Sequence, residues 1–402
     1  MTTRKRKLRT DGTLWQHLRA PRVPYRALTR DTQTEVLIIG AGITGAMIAD
    51  ALAEAGLETI IVDRRRPAHG STIASTALVA YEIDVPLIEL QDRIGKRDAI
   101  RAWRRSRLAV ANLQSYFGER ELEEQSRGSL YLAGNDLGVA DLEVEGELRR
   151  AAGIEATFLD RSALRARFDI GHSGALLNPG NLTINPRAVT ARLLLRAQGL
   201  GSRVFSPSEI ADLKRSRSSW VATTKQGQRI HSRYVVFATG YEFPKFVPLK
   251  GHRIKTTWAF ATAPQPGKLW PEECLIWEAS SPYLYARTTA DGRVLCGGED
   301  VDSPDAVHDD EMTERKITRL QSKLHKLFPK LDTEAEFAWA ASFGGSSTGL
   351  PTIGEIPGHK NCWAALGYGG NGITYSRIAA EIIRAAFSGQ RDADADLYAF
   401  RH

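Results

Sequence analysis

The chain has 402 residues, 42% hydrophobic and 25% charged, the balance of a soluble globular protein with room for two domains at ~150 residues each. Its net charge of +7 is unevenly placed: residues 1–30 carry nine Lys or Arg against Asp11 alone, which leaves about −1 for the rest. That argues against a basic nucleic-acid groove across the body, and no run reaches the ~18 uncharged apolar residues of a membrane span. Three scattered cysteines, Cys274, Cys296 and Cys362, form no CxxC pair, so neither a zinc site nor any other metal site is expected, and the compartment reads as reduced and cytoplasmic.

In chain order, residues 1–30 come first as a basic leader. No apolar stretch follows its charges, so it does not read as a signal peptide; it reads as a solvated segment able to touch an acidic partner. Residues 36–65, "VLIIGAGITGAMIADALAEAGLETIIVDRR", then read as strand, glycine turn, helix and strand. Gly40 lets the chain leave the strand sharply, Gly42 lets a pyrophosphate approach the backbone, and Gly45 lets the helix pack on the strand. The helix start at Ile43 and Thr44 offers free N–H groups to phosphate. Asp63, 23 positions after Gly40, stands where a carboxylate accepts from ribose hydroxyls, followed by Arg64. This element marks a dinucleotide site without separating FAD from NAD.

Next comes a Gly/Ser/Thr loop with His69, Gly70, Ser71, Thr72, Ser75 and Thr76, then a helix over about 90–125. A short strand at 128–134, a helix over 136–152 and a helix capped by Asp160 or Ser162 follow. Residues 174–198 read as strand, turn and helix, and 218–242 as a hairpin turning at Gln226-Gly227 before a strand that ends Ala238-Thr239-Gly240. Several short strands occupy 251–300, an amphipathic helix 308–328, and strands lead into a last helix from about Ile373 to Phe387. No internal repeat is present.

Three of these segments together resemble the FAD-dependent D-amino-acid oxidase superfamily, which includes glycine, sarcosine and γ-glutamylputrescine oxidases: "GAGITG…VDRR", "YVVFATGYE" and "GLPTIGEIPGHKNCWAALGYGGNGITYSRIAAEII". They cover nearly the whole chain after residue 30, in the family's order. The resemblance implies FAD rather than NAD. It places Ala238, Thr239 and Gly240 beside the cofactor, with Gly70, Ser71, Thr72, Ser75 and Thr76 along the flavin. It places Gly369, Gly370, Asn371, Gly372, Ile373 and Thr374 at the flavin ring, where a helix start would stabilise the negative charge of reduced flavin. Relatives that bond flavin covalently use a histidine near the place of Ala74 or a cysteine before "GLPTIG"; here neither is present and dissociable FAD is expected, with His69 as the remaining linkage candidate.

The resemblance also exposes departures. Phe343 stands about where D-amino-acid and glycine oxidases hold the substrate carboxylate with arginine, and Thr374 where sarcosine oxidases use lysine. Bidentate arginine is hard to replace, so a simple small amino acid is disfavoured. Arg287 is the alternative clamp, with Tyr283 and Tyr285 on the same strand face, and Lys255 the candidate to assist oxygen reduction over the flavin. Glu82 and Asp84 could meet a cationic amine or be loop structure. No His/Asp or paired-carboxylate constellation is visible.

The expectation is thus an α/β fold of mixed α+β character, with a Rossmann-like FAD-binding domain of the glutathione-reductase type and a smaller antiparallel-sheet substrate domain. The FAD domain is assigned 31–95, 160–245 and 345–402, and the substrate domain 96–159 and 246–344. The expected activity is oxidation of the C–N bond of a small-molecule amine or amino acid, with O2 or another electron acceptor and an undetermined oligomeric state. A flavoprotein acting on an RNA base and an FAD-binding protein without turnover are the alternatives.

Overall fold

In the computed structural model, which describes residues 2–118, 124–247 and 251–400, the glycine-rich stretch opens the first of two sheets. Eight strands build it: β1 (Thr32–Ile39), β2 (Thr59–Val62), β7 (Arg203–Phe205), β8 (Ile210–Ser216), β9 (Ser219–Thr224), β10 (Arg229–Phe237), β16 (Thr352–Glu355) and β17 (Cys362–Leu366). Their order is β16-β17-β10-β1-β2-β7, with the β8–β9 hairpin continuing from β10. β1 lies parallel between β10 and β2, pairing Ile38 with Val236 and with Ile61. Val36 and Ile38 are buried against the helices and Leu37 against the opposite cluster with Trp220, Ala222 and Phe243, so both faces of the sheet are covered and the strand is an unbroken apolar run. The helix Ile43–Glu54 packs on Pro186–Gly199 and on Gly372–Phe387, bringing the ends of the sequence together at the glycine turn.

The second sheet holds β3 (Leu78–Val79), β4 (Glu124–Leu132), β5 (Thr157–Asp160), β6 (Gly174–Ile184), β11 (His252–Ala261), β12 (Leu275–Glu278), β13 (Leu284–Thr288), β14 (Val294–Val301) and β15 (Phe337–Ser346). Its order is β15-β11-β14-β13-β12-β4-β6-β3, with β5 on β6, and every pairing is antiparallel except β12 with β4. β6 belongs here, whereas the sequence assigned 160–245 to the first domain: a strand that feeds a Rossmann-side helix looks like part of that unit until its partners are known. The helix expected over 90–125 is two, Leu87–Ile94 and Lys96–Gly118, parted at Gly95 (φ 85°); residues 119–123 lie outside the described ones. No described helix is long and apolar enough to cross a membrane.

The basic leader is not a solvated segment. Ser342 N–H donates to the Leu8 carbonyl at 2.8 Å and Thr10 N–H to the Ala340 carbonyl at 2.9 Å, so the leader pairs with the free edge of β15. Leu8, Leu14 and Trp15 are buried, and Trp15 Nε1 donates to the Ser75 carbonyl at 2.6 Å. Charge count hides this arrangement, because an edge segment pairs through its backbone whatever its side chains carry; Arg6 and Arg9 are partly buried and Lys5 pairs with Glu209 at 2.6 Å.

Candidate active site

A cavity of about 880 Å³ runs from the carboxyl ends of β1 and β2 to the face of the second sheet. Its first end is the glycine cradle. Gly40 adopts φ 118°, and a Cβ there would lie 2.3 Å from the Ala238 carbonyl oxygen; one on Gly45 would lie 1.9 Å from the Gly40 carbonyl oxygen. Gly45 therefore serves helix–strand packing and does not line the cavity, while Gly40, Gly42, Ile43 and Thr44 do. The Thr72 hydroxyl accepts Ile43 N–H at 3.0 Å and ties the serine–threonine loop to the helix start.

Asp63 is oriented from both sides. Its Oδ2 accepts Ala41 N–H at 2.7 Å and its Oδ1 accepts Arg65 N–H at 2.8 Å. Burial pushes its carboxyl up, against those two N–H groups. Arg64 lines the cavity and pairs with Glu242, as does Arg65 at 2.7 Å. Arg64 Nη1 and the Ser71 hydroxyl are buried without a hydrogen-bond partner among the described residues, so this end offers donors to a phosphate or ribose. Arg65 and Glu242 were missed from sequence; a second arginine after the acid was the available signal. Gly70, Ser71, Thr72, Ser75, Thr76, Ala238, Thr239 and Gly240 all line the same cavity, and Thr2, Thr3 and Leu8 of the leader close on it.

At the middle lies the C-terminal turn. Gly369, Gly370, Asn371, Gly372 and Ile373 line the cavity; Thr374 does not, being buried with its hydroxyl on the Ala80 carbonyl at 2.8 Å. Asn371 Nδ2 donates to the Glu82 carbonyl at 2.5 Å. Gly370 N–H donates to Asp84 Oδ2 at 2.7 Å. Asp84 is enclosed by the cavity walls, yet its carboxylate opens onto the cavity space; burial pushes it up to about 6, against the Gly370 N–H, with Asp300 adding to the rise and Lys255 opposing it.

The far wall comes from the second sheet. Lys255 and Thr257 of β11, Tyr283, Tyr285 of β13 and Asp300 of β14 all face inward, with Tyr241 and Phe343. The Lys255 ammonium makes no hydrogen bond or ion pair among the described residues, while its backbone pairs in the β11–β15 ladder. A Cβ on Gly297 would lie 2.3 Å from the Tyr285 hydroxyl, so that glycine gives the ring its place across β14. Tyr241 donates to the Gly369 carbonyl at 3.1 Å, and Tyr283 donates to Asp300 Oδ2 at 2.8 Å. Asp300 was not singled out in the sequence; burial pushes its carboxyl up, against the Thr257 and Tyr283 hydroxyls.

Arg287 is not at the cavity. It shares a strand face with Tyr283 and Tyr285 but lies one step further on, where its guanidinium donates to the carbonyls of Ala77 (2.7 Å), Ile184 (3.1 Å) and Thr288 (2.9 Å). Those bonds use it as a buried brace between the sheet and the loop, and burial pulls its pKa down. His69 and the three cysteines are also outside the cavity lining, and the cysteines are buried.

A dinucleotide cradle at one end of a cavity whose other end is walled by a second sheet defines a dinucleotide-binding two-sheet protein. The profile of the FAD dependent oxidoreductase family matches residues 35–386, and the chain belongs to that family. It is similar to the γ-glutamylputrescine oxidoreductase of Escherichia coli K12, 24% identical over 399 residues that cover 92% of this chain and 87% of that one. It is also similar to the tRNA 5-methylaminomethyl-2-thiouridine biosynthesis bifunctional protein of Burkholderia ambifaria (strain MC40-6), 23% identical over 91% of this chain and 58% of that longer protein. In fold it matches glycine oxidase from Geobacillus kaustophilus with a TM-score of 0.76 at 20% identity, covering 92% of this chain and 99% of that one. The cofactor is FAD, and the cradle fits it: glycines where a Cβ would fill the approach, unpartnered donors at Arg64 and Ser71, and an oriented Asp63.

Proposed function

We propose that the protein oxidises the C–N bond of an amine or amino-acid derivative held between the C-terminal glycine turn and the Tyr241–Tyr283–Tyr285 wall. The observation that carries this is the continuity of one cavity from the Asp63 end to Lys255, Tyr285 and Asp300. The names of the E. coli relative and of the glycine oxidase fold neighbour support an amine or amino acid as the substrate class.

Bound FAD supplies a two-electron acceptor, its N5, for the hydride of the substrate's α C–H. The chain's part is to orient that C–H and keep bulk water away. The nitrogen lone pair closes the C=N bond as the hydride leaves, the proton on nitrogen passes to water, and the imine hydrolyses to a carbonyl compound and the freed amine. Tyr241, its hydroxyl held by the Gly369 carbonyl, is a fixed part of the wall that would orient the substrate. Lys255, with an unengaged ammonium, is placed to assist the return of electrons to O2 or another acceptor. The test is anaerobic titration of the purified, FAD-loaded protein with amines and amino acids. Loss of the oxidised-flavin absorbance, with carbonyl product in proportion, is expected; a flavin that no amine or amino acid reduces would reject the reading.

A further inference from the structure

The substrate end of the cavity is acidic, and its acids are not neutralised by the protein. Arg253 is taken by Asp302 at 3.4 Å and Arg93 by Glu89 at 2.7 Å, so these rim pairs cancel. Inside the rim stand Glu82, Asp84, Glu278 and Asp300, with Lys255 the cation among the lining residues there and Lys316 acting on Asp300 from outside the lining. Two of those carboxylates have a buried oxygen with no donor among the described residues. Glu82 is 2% exposed; its Oε1 accepts from Ser129 and from Asn181 at 3.2 Å, and its Oε2 has no partner. Asp300 Oδ2 accepts from Tyr283, and the Thr257 hydroxyl also favours the charged carboxyl, while Oδ1 has no partner of its own among the described residues. An unpaired buried carboxylate oxygen costs stability until a donor reaches it.

An ammonium group brings three donors and a charge, which is what these oxygens lack. Yet a carboxylate site around a simple monoamine would hold the reacting nitrogen as ammonium, which has no lone pair to expel hydride. The two requirements are reconciled when the charge and the reacting nitrogen are different groups of one molecule. Resting on the C–N oxidation reading above, we infer that the substrate carries a second, non-reacting cationic group and no carboxylate on the reacting carbon, and that Asp84 and Asp300 hold that second charge. Phe343 agrees: it presents a ring to the cavity beside Lys255, its partner across β11 and β15, and offers nothing to a carboxylate. The facing aromatic rings of Tyr283 and Tyr285, 6.0 Å apart between centroids, add a cation-tolerant wall.

The test uses the FAD-loaded protein and three probes of similar length: diaminobutane, butylamine and norvaline. Each is titrated anaerobically, reading both the perturbation of the oxidised flavin spectrum and its bleaching, for the native chain, Asp300→Asn and Asp84→Asn. Diaminobutane is expected to act at concentrations at least about tenfold below butylamine, and norvaline to be poorest; the Asn variants should bring diaminobutane to the level of butylamine while keeping their FAD. Asp300→Glu should restore part of the preference, which a merely structural aspartate would not show. Equal response to diaminobutane and butylamine, preference for norvaline, or a preference that survives both Asn variants would overturn the inference while leaving amine oxidation intact. Spectral perturbation by diaminobutane that depends on Asp84 and Asp300, with no bleaching by any probe, would support the cation site and reject the oxidation reading.

Discussion

Asp84 Oδ2 accepts the backbone N–H of Gly370 at 2.7 Å, and the other carboxylate oxygen stands 2.8 Å from where a Cβ on Gly370 would be. The turn and the acid are therefore fitted to each other: the glycine supplies the donor and leaves the space. Gly370→Ala is expected to push Asp84 off its seat. The clash is with the movable end of the Asp84 side chain at an exposed turn, so overall stability should change little. The same variant should weaken diamine binding about tenfold while FAD remains bound. Calorimetric binding of diaminobutane against the FAD content of the same sample checks both.

Cation binding should follow the Asp84 charge. Its carboxyl is pushed up to about 6 by burial, with Asp300 in the same direction and Lys255 and the Gly370 N–H opposing. The acid is thus charged above that pH and neutral below it. Affinity for a guanidinium ion, whose charge does not titrate in this range and whose N–H groups can reach the carboxylate, should be full at neutral pH and fall as pH drops through about 6. A midpoint near the ordinary aspartate value of ~3.9 would show that Asp84 does not carry the interaction.

The leader should act as part of the cofactor site. Leu8 is 6% exposed, lines the cavity, and would lie 3.6 Å from a Cβ on Gly70, while the backbone around it pairs with β15. Deleting residues 1–11 removes this wall and bares an unpaired strand edge. FAD affinity is expected to fall about tenfold, with a rise in aggregation. Lys7→Ser, which keeps the carbonyl that accepts from Ser342 Oγ at 2.8 Å, should leave FAD affinity unchanged. Flavin released on buffer exchange measures each.

What the sequence shows plainly is what the backbone dictates. Gly40 and Gly42 are forced by a turn and a close approach, the apolar β1 by burial on both faces, and Asp63 by its distance from the turn. Groups brought together by tertiary folding leave no such trace. Asp84 and Gly370 are 286 positions apart, so a glycine that looks like flavin geometry and an acid that looks like loop structure show no sign of their pairing. Asp300 lies near the end of β14, where a bulge with Glu299 at φ 58° turns Glu299 to Lys316 and Lys323 and Asp300 to the cavity, and sequence alone shows neither the bulge nor the side. The leader was misjudged because a count of Lys and Arg says nothing of backbone pairing with β15 or of the buried Leu8, Leu14 and Trp15 among them.

Arg287 tests the difference between a clamp and a brace. As a clamp it would touch substrate, and its loss would raise KM with stability unchanged. In the structure its guanidinium serves three carbonyls, from the β3 side, the end of β6 and its own strand, and it lies outside the cavity lining. Arg287→Met keeps much of the volume but leaves those carbonyls without a donor, and each buried unsatisfied group costs about 1–3 kcal/mol. Relaxation and water entry recover part of that sum, so a net loss of roughly 2–5 kcal/mol is expected in denaturant unfolding. The preference for diaminobutane over butylamine should be unchanged. A variant of native stability with an altered preference would return Arg287 to the substrate.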